Sequence, residues 1–193
     1  EKVQTLLAGN HRLNLHEIYG EFGGKFVDRD QVGPEHFQGW MQWAKERNMC
    51  LDFNSTSFSH PKSGNLTLSN PDKGIRDFWI EHTKRCRRIA DAMGKAQGDP
   101  SIMNIWVHDG SKDLTVEKMR YRQILKESLD EILKEELPDM KPCLEAKLFG
   151  IGLEAYTVGS HDFFAGYCSK NNVIYTLDTG HYEQTENVSD AVS

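Results

Sequence analysis

Glu145, Asp178 and His181 offer two carboxylates and an imidazole near the carboxyl end of the chain. Such an oxygen and nitrogen donor set suits a divalent ion such as Mn²⁺, Co²⁺, Zn²⁺ or Mg²⁺, and no cysteine is placed to favour thiolate ligation. Lys147 follows Glu145 at i+2 in a strand-like run, so the two share a face. Its ammonium is positioned either to stabilise negative charge developing on a substrate oxygen or to neutralise Glu145 itself. His16 and Trp106 end two earlier strand-like runs, and the apolar face of Trp106 suits the wall of a sugar pocket. His60 lies in a long loop after the second run. His36 and His82 fall in helical patterns and read as structural or surface residues, while His11, His108 and His161 fall in loops without a clear partner. GIG at 150–152 has neither P-loop nor GxGxxG spacing, and there is no Gly-x-Ser-x-Gly elbow.

These residues need a scaffold that brings distant strand ends together. One alternation recurs along the chain: a short apolar run, a polar loop, then an amphipathic stretch, the pattern of βα units around a parallel sheet. The strands are expected at 12–19, 50–54, 101–107, 143–149 and 173–178. Helices are expected from Pro34 to about Arg47, from Pro71 with Asn70 as cap to a stop at Gly94, over about 115–136, and near 160–168. The strands end in Asn14/His16, Asp52/Asn54, Asn104/Trp106, Glu145/Lys147 and Thr176/Asp178, polar or amphipathic pairs at two-residue spacing. A single pair of this kind reads as a hydrogen-bonded core position. Five at one end predict a polar pocket at the carboxyl face of a barrel, since burying so many unpaired charges costs several kcal/mol each.

Composition excludes other classes. The chain has 193 residues with 23 Lys+Arg against 29 Asp+Glu, a net charge of −6, which disfavours nucleic acid as the main partner. KRCRR at 84–88 is the only basic run and reads as a solvated helix face. No window approaches the 18 or so apolar residues of a membrane span, and a cytoplasmic protein with no membrane partner is expected. Cys50, Cys86, Cys143 and Cys168 are too dispersed for a metal knuckle or disulfide framework and read as reduced, mostly buried thiols. The chain opens without Met and stops at TENVSDAVS, which reads as a helix start, so a piece of a longer protein is expected.

The segments RLNLHEIY, LDFNSTSFSHP, IRDFWIEH, MNIWVHDGSKD, EAKLFGIGLEAYTVGS and LDTGHYEQTE resemble, in the same order, those of the L-rhamnose isomerase family. That resemblance implies a (β/α)₈ TIM barrel of which residues 1–193 supply the central part, about five units of one domain. It implies a metal-dependent aldose–ketose isomerase that interconverts L-rhamnose and L-rhamnulose by moving hydrogen between C1 and C2, preferably as a metal-assisted hydride shift, with a cis-enediol proton transfer as the other route. The family's structural-metal glutamate falls on Glu145, its metal aspartate on Asp178, and the histidine of its second, catalytic ion on His181. Its active-site lysine falls on Lys147, its sugar-contacting histidine on His16 and its pocket tryptophan on Trp106. Lys147, His16 and Asp178 thereby take catalytic roles, and His16, Trp106 and Lys147 bind substrate. Two divalent ions per complete site, Mn²⁺ first among them, and a homotetramer are also implied. The family's remaining ligands, a His and an Asp for one ion and an aspartate pair for the other, fall outside this sequence. Two other readings stand beside the isomerase: a metal-dependent phosphoesterase on a similar barrel, which calls for a basic groove, and an inactive fragment of the isomerase.

Overall fold

A computed structural model describes residues 2–113, 115–147 and 155–191. Its elements are α1 (Lys2–Leu6), β1 (Arg12–His16), α2 (Gln38–Glu46), β2 (Cys50–Asn54), α3 (Lys73–Gln97), β3 (Ser101–Trp106), β4 (Gly110–Ser111), α4 (Lys118–Leu133), β5 (Met140–Glu145), β6 (Tyr156–Thr157), α5 (His161–Asn171) and β7 (Ile174–Thr176). The five longer-range strands form one parallel sheet in the order β1-β2-β3-β5-β7. Sequential order without a reversal is the wall of a (β/α) barrel, whereas a doubly wound sheet changes direction part-way. The architecture is α/β, an arc of such a barrel.

Alternation along the strands separates two faces. Leu15, Leu51, Phe53, Met103, Ile105 and Leu144 point to one side and are buried. α3, the longest helix, lies over β2 and β3 on that side. It buries Phe78, Trp79, His82, Cys86, Ile89, Ala90 and Met93 along one stripe. Asn14, Asp52, Asn54, Asn104, Glu145 and Thr176 point the other way and line an open recess of about 510 Å³.

The boundaries of α3 differ from the sequence expectation. Asp72 is the cap, its carboxylate accepting from the Gly74 and Ile75 amides at 2.8 and 3.1 Å. Asn70 instead closes the preceding turn, donating to the Leu66 carbonyl. The helix runs past Gly94 to Gly98, whose φ of +70° suits a left-handed end. Gly94 is a close-approach residue: a Cβ there would overlap the Asp139 carbonyl oxygen just before β5.

The basic run is also placed differently. Arg87 is buried and donates to the Ile132 and Glu135 carbonyls at the end of α4. Lys84 pairs with Glu131 at 2.6 Å, and Arg88 with Glu135 at 3.0 Å. Lys84, Arg87 and Arg88 therefore form a seam with α4 and the residues just after it, while Arg85 pairs with Glu81 on α3 itself. No helix among the described residues is long and apolar enough to cross a membrane. All four cysteines are free, three of them buried.

β5 begins earlier and ends earlier than expected, with Ser101–Trp106 paired to Met140–Glu145. Pro142 sits before the pairing with β7 begins at Cys143, where its missing N–H removes no bond to that strand. Beyond Glu145 the chain turns away, and the Lys147 amide donates to the Gly159 carbonyl at 3.3 Å. Residues 148–149 of the expected strand and the GIG at 150–152 lie outside the described residues.

Candidate metal centre

Glu145 ends β5 with Trp106 opposite on β3 and Thr176 opposite on β7. Its carboxylate is 13% exposed. Asn104 donates from Nδ2 to Glu145 Oε2, and the orientation of that amide is fixed by two donors to its oxygen, Thr176 Oγ1 at 3.1 Å and Cys143 Sγ at 3.3 Å. Burial raises the Glu145 pKa above its ordinary value, and the nearby Asp178 charge adds to the rise, while the Asn104 bond and the His181 ring oppose it.

Past β7 the chain makes a single turn of 3₁₀ helix, Thr179–His181. Asp178 caps it by accepting from the Gly180 amide at 2.8 Å, and the His181 amide donates to the Asp178 carbonyl at 3.0 Å. The turn swings the His181 ring back over the end of β5, where Nδ1 lies 3.0 Å from the Ala146 carbonyl oxygen and 3.2 Å from Glu145 Oε1. A carbonyl only accepts, so Nδ1 carries a hydrogen, and Nε2 is the ring nitrogen left for a ligand. Nε2 lies 3.8 Å from Asp178 Oδ2. One ligand atom from each of Glu145, Asp178 and His181 lies within 4.8 Å of the others. Electron-rich atoms gathered in this way, with the second imidazole nitrogen tied to a backbone carbonyl, fit a divalent cation.

Trp106 lies beside the trio, stacked on the His181 ring at 6.3 Å and 26° and edge-on to Phe58 at 5.7 Å. Its Nε1 is buried without a hydrogen-bond partner. Lys147, only 1% exposed, directs its ammonium to the His108 carbonyl oxygen, behind the end of β3. That corrects the strand alternation expected to place it beside Glu145, since the strand ends at Glu145 itself. His16 bonds Thr56 Oγ1 at 2.7 Å through Nδ1, and burial lowers its pKa, keeping the ring neutral. His60 is held by Asp28 at 3.0 Å and stacks on Phe78. His82 is buried, its pKa pushed down to about 4 by desolvation.

Two residues the sequence pattern passed over organise the surroundings. Asp109, fully buried, accepts four hydrogen bonds from the amides and hydroxyls of Thr67 and Ser69, joining the loops after β2 and β3. His161, expected in a loop without a partner, opens α5 and bonds both Tyr175 and the His181 carbonyl. The only sequence signal was its place after Ser160, at a helix start.

The family model of L-rhamnose isomerase (RhaA) matches residues 1–193. The chain belongs to the L-rhamnose isomerase family. It is 67% identical over 192 residues to an L-rhamnose isomerase of Bacteroides thetaiotaomicron, and 52% and 49% identical over 196 residues to those of Mannheimia succiniciproducens and Rhodopirellula baltica. Each comparison covers 100% of this chain and 46% of the relative, so the chain spans about half the length of these L-rhamnose isomerases. A D-psicose 3-epimerase of Clostridium cellulolyticum H10, solved with D-tagatose, aligns with a TM-score of 0.65 at 17% identity, covering 97% of this chain and 60% of the other. At that identity the likeness speaks for the fold, and it agrees with the barrel arc.

Proposed function

We propose that this chain carries part of the active site of a metal-dependent aldose–ketose isomerase that interconverts L-rhamnose and L-rhamnulose. The observation that carries the reading is that one ligand atom from each of Glu145, Asp178 and His181 lies within 4.8 Å of the others at the carboxyl end of a parallel sheet. The L-rhamnose isomerases that match over the whole chain supply the substrate. The reading takes residues 1–193 as the central part of one barrel domain, Mn²⁺ as the ion and a homotetramer as the working assembly.

Glu145, Asp178 and His181 would hold the metal, whose contribution when bound is Lewis-acid polarisation of the sugar oxygens at C1 and C2. The chain's own residues do the positioning. Asn104 keeps Glu145 Oε2 turned into the recess. Trp106 offers an apolar wall against which the carbon face of an open-chain sugar can lie. His16, neutral by burial and anchored through Nδ1, leaves Nε2 to bond a sugar hydroxyl. Lys147, whose Nζ donates to the His108 carbonyl, is read as the group that favours anionic character on a substrate oxygen. Hydrogen then passes between C1 and C2 within the sugar.

The test is the appearance of L-rhamnulose when the polypeptide carrying this sequence is incubated with L-rhamnose and Mn²⁺. Turnover that disappears in Asp178→Asn supports the reading. Turnover unaffected by chelation or by Asp178→Asn contradicts it.

A further inference from the structure

His161 lies outside the recess, yet its contacts converge on the turn that carries Asp178 and His181. Its Nε2 is 2.6 Å from the His181 carbonyl oxygen and its Nδ1 is 2.6 Å from the Tyr175 hydroxyl. Its ring stacks on Tyr182 with centroids 3.9 Å apart at 30°. One side chain thus joins the first turn of α5, the middle of β7 and the residues on both sides of the His181–Tyr182 peptide.

The role of Nε2 is fixed by its partner. A carbonyl oxygen can only accept, so Nε2 carries a hydrogen toward His181, while Nδ1 pairs with the Tyr175 hydroxyl, which also hydrogen-bonds Tyr182. The His181 residue is then held at three points: its ring Nδ1 at the Ala146 carbonyl, its amide at the Asp178 carbonyl, and its own carbonyl at His161. Two of these are internal to the short turn or to the end of β5. The His161 bond alone ties the turn to a helix. A 3₁₀ turn of three residues has little stability of its own, so its angle to β5 depends on what anchors it.

We infer that His161 is a positioning residue for the metal centre: by clamping the His181 carbonyl while Tyr175 and Tyr182 hold its ring, it fixes the turn on which the Asp178 and His181 ligand atoms meet Glu145. This rests on the metal reading proposed above and extends it to a side chain that touches neither the ion nor the sugar. Groups that orient metal ligands in this indirect way typically change affinity about 10- to 100-fold when removed.

Isothermal titration of Mn²⁺ into the polypeptide carrying this sequence tests it, with thermal unfolding of the metal-free protein recorded alongside. His161→Phe keeps an aromatic ring against Tyr182 but removes both hydrogen bonds, and about 10- to 100-fold weaker Mn²⁺ binding is expected. His161→Gln places an amide donor where Nε2 stood and should recover most of that loss. Weakened binding in the first variant with recovery in the second supports the clamp, whereas equal weakening in both overturns it. Unchanged affinity in His161→Phe while Asp178→Asn loses binding overturns the clamp and leaves the metal reading standing; unchanged affinity in all three removes both. Should His161→Phe fail to fold, Tyr175→Phe is read in its place: several-fold weaker Mn²⁺ binding supports the clamp and wild-type binding overturns it.

Discussion

Glu145 is held in a contradictory environment, buried enough to raise its pKa yet needed as a carboxylate for a cation. Because its folded-state pKa lies above the unfolded value, protonation favours the metal-free fold. That contribution is complete below the ordinary value of 4.5 and is lost as pH rises through the elevated folded value. Metal binding has the opposite slope. Mn²⁺ affinity is expected to fall as pH drops toward the raised Glu145 pKa, beginning at higher pH than an ordinary carboxylate would show, and a titration series between about pH 7 and 4.5 would display it. Asn104→Ala removes the donor to Oε2 and should weaken Mn²⁺ binding about 10- to 100-fold with little change in thermal midpoint, read by calorimetry and circular dichroism. At this scale the proximity of Glu145, Asp178 and His181 was legible from residue types, two carboxylates and a histidine at or just past strand ends. The role of His161 was not, since its partners are a backbone carbonyl and a tyrosine from another element, and neither leaves a mark in local sequence. Lys147 was misplaced for a related reason: alternation holds only while the ladder holds, and β5 ends at Glu145.

Among the elements, β1 and β2 were legible because leucine and phenylalanine alternate with polar residues on each. The ends of α3 were not. Gly94 looked like a stop, but it serves the approach of the helix to the backbone before β5. Gly94→Ala is therefore expected to destabilise by about 1 to 3 kcal/mol through overpacking, although alanine is the better helix former. Urea unfolding would measure it, and an increase in stability would contradict the packing account. Asp109 performs the corresponding task for the loops, its two oxygens accepting four bonds between 2.5 and 2.8 Å. Asp109→Asn turns an acceptor into a donor facing other donors and should cost about 3 to 5 kcal/mol, again by urea unfolding. Sequence reading passed over Asp109 because its partners lie some forty residues away in the loop after β2. The basic run 84–88 was read as solvated for the same kind of reason: Lys84, Arg87 and Arg88 find partners on α4 or just after it, and helical periodicity reports a helix's own face without naming what covers it.

The whole molecule is an arc of five parallel strands in sequence order, with helices on one side and a polar recess on the other. The chain spans about half the length of its L-rhamnose isomerase relatives, and the candidate trio on β5 and after β7 lies within it. The fold class and family were readable from ordered segments along the chain, whereas the recess geometry depends on pairings between distant strands. The central claim is that Glu145, Asp178 and His181 form the divalent-ion site of a sugar isomerase. Its most direct test is Mn²⁺-dependent formation of L-rhamnulose from L-rhamnose by the polypeptide carrying this sequence, compared with its Glu145→Gln form at equal metal. Activity that requires Mn²⁺ and falls at least about 100-fold in the variant is the predicted result; equal activity in the two forms, or activity indifferent to the metal, would contradict the account.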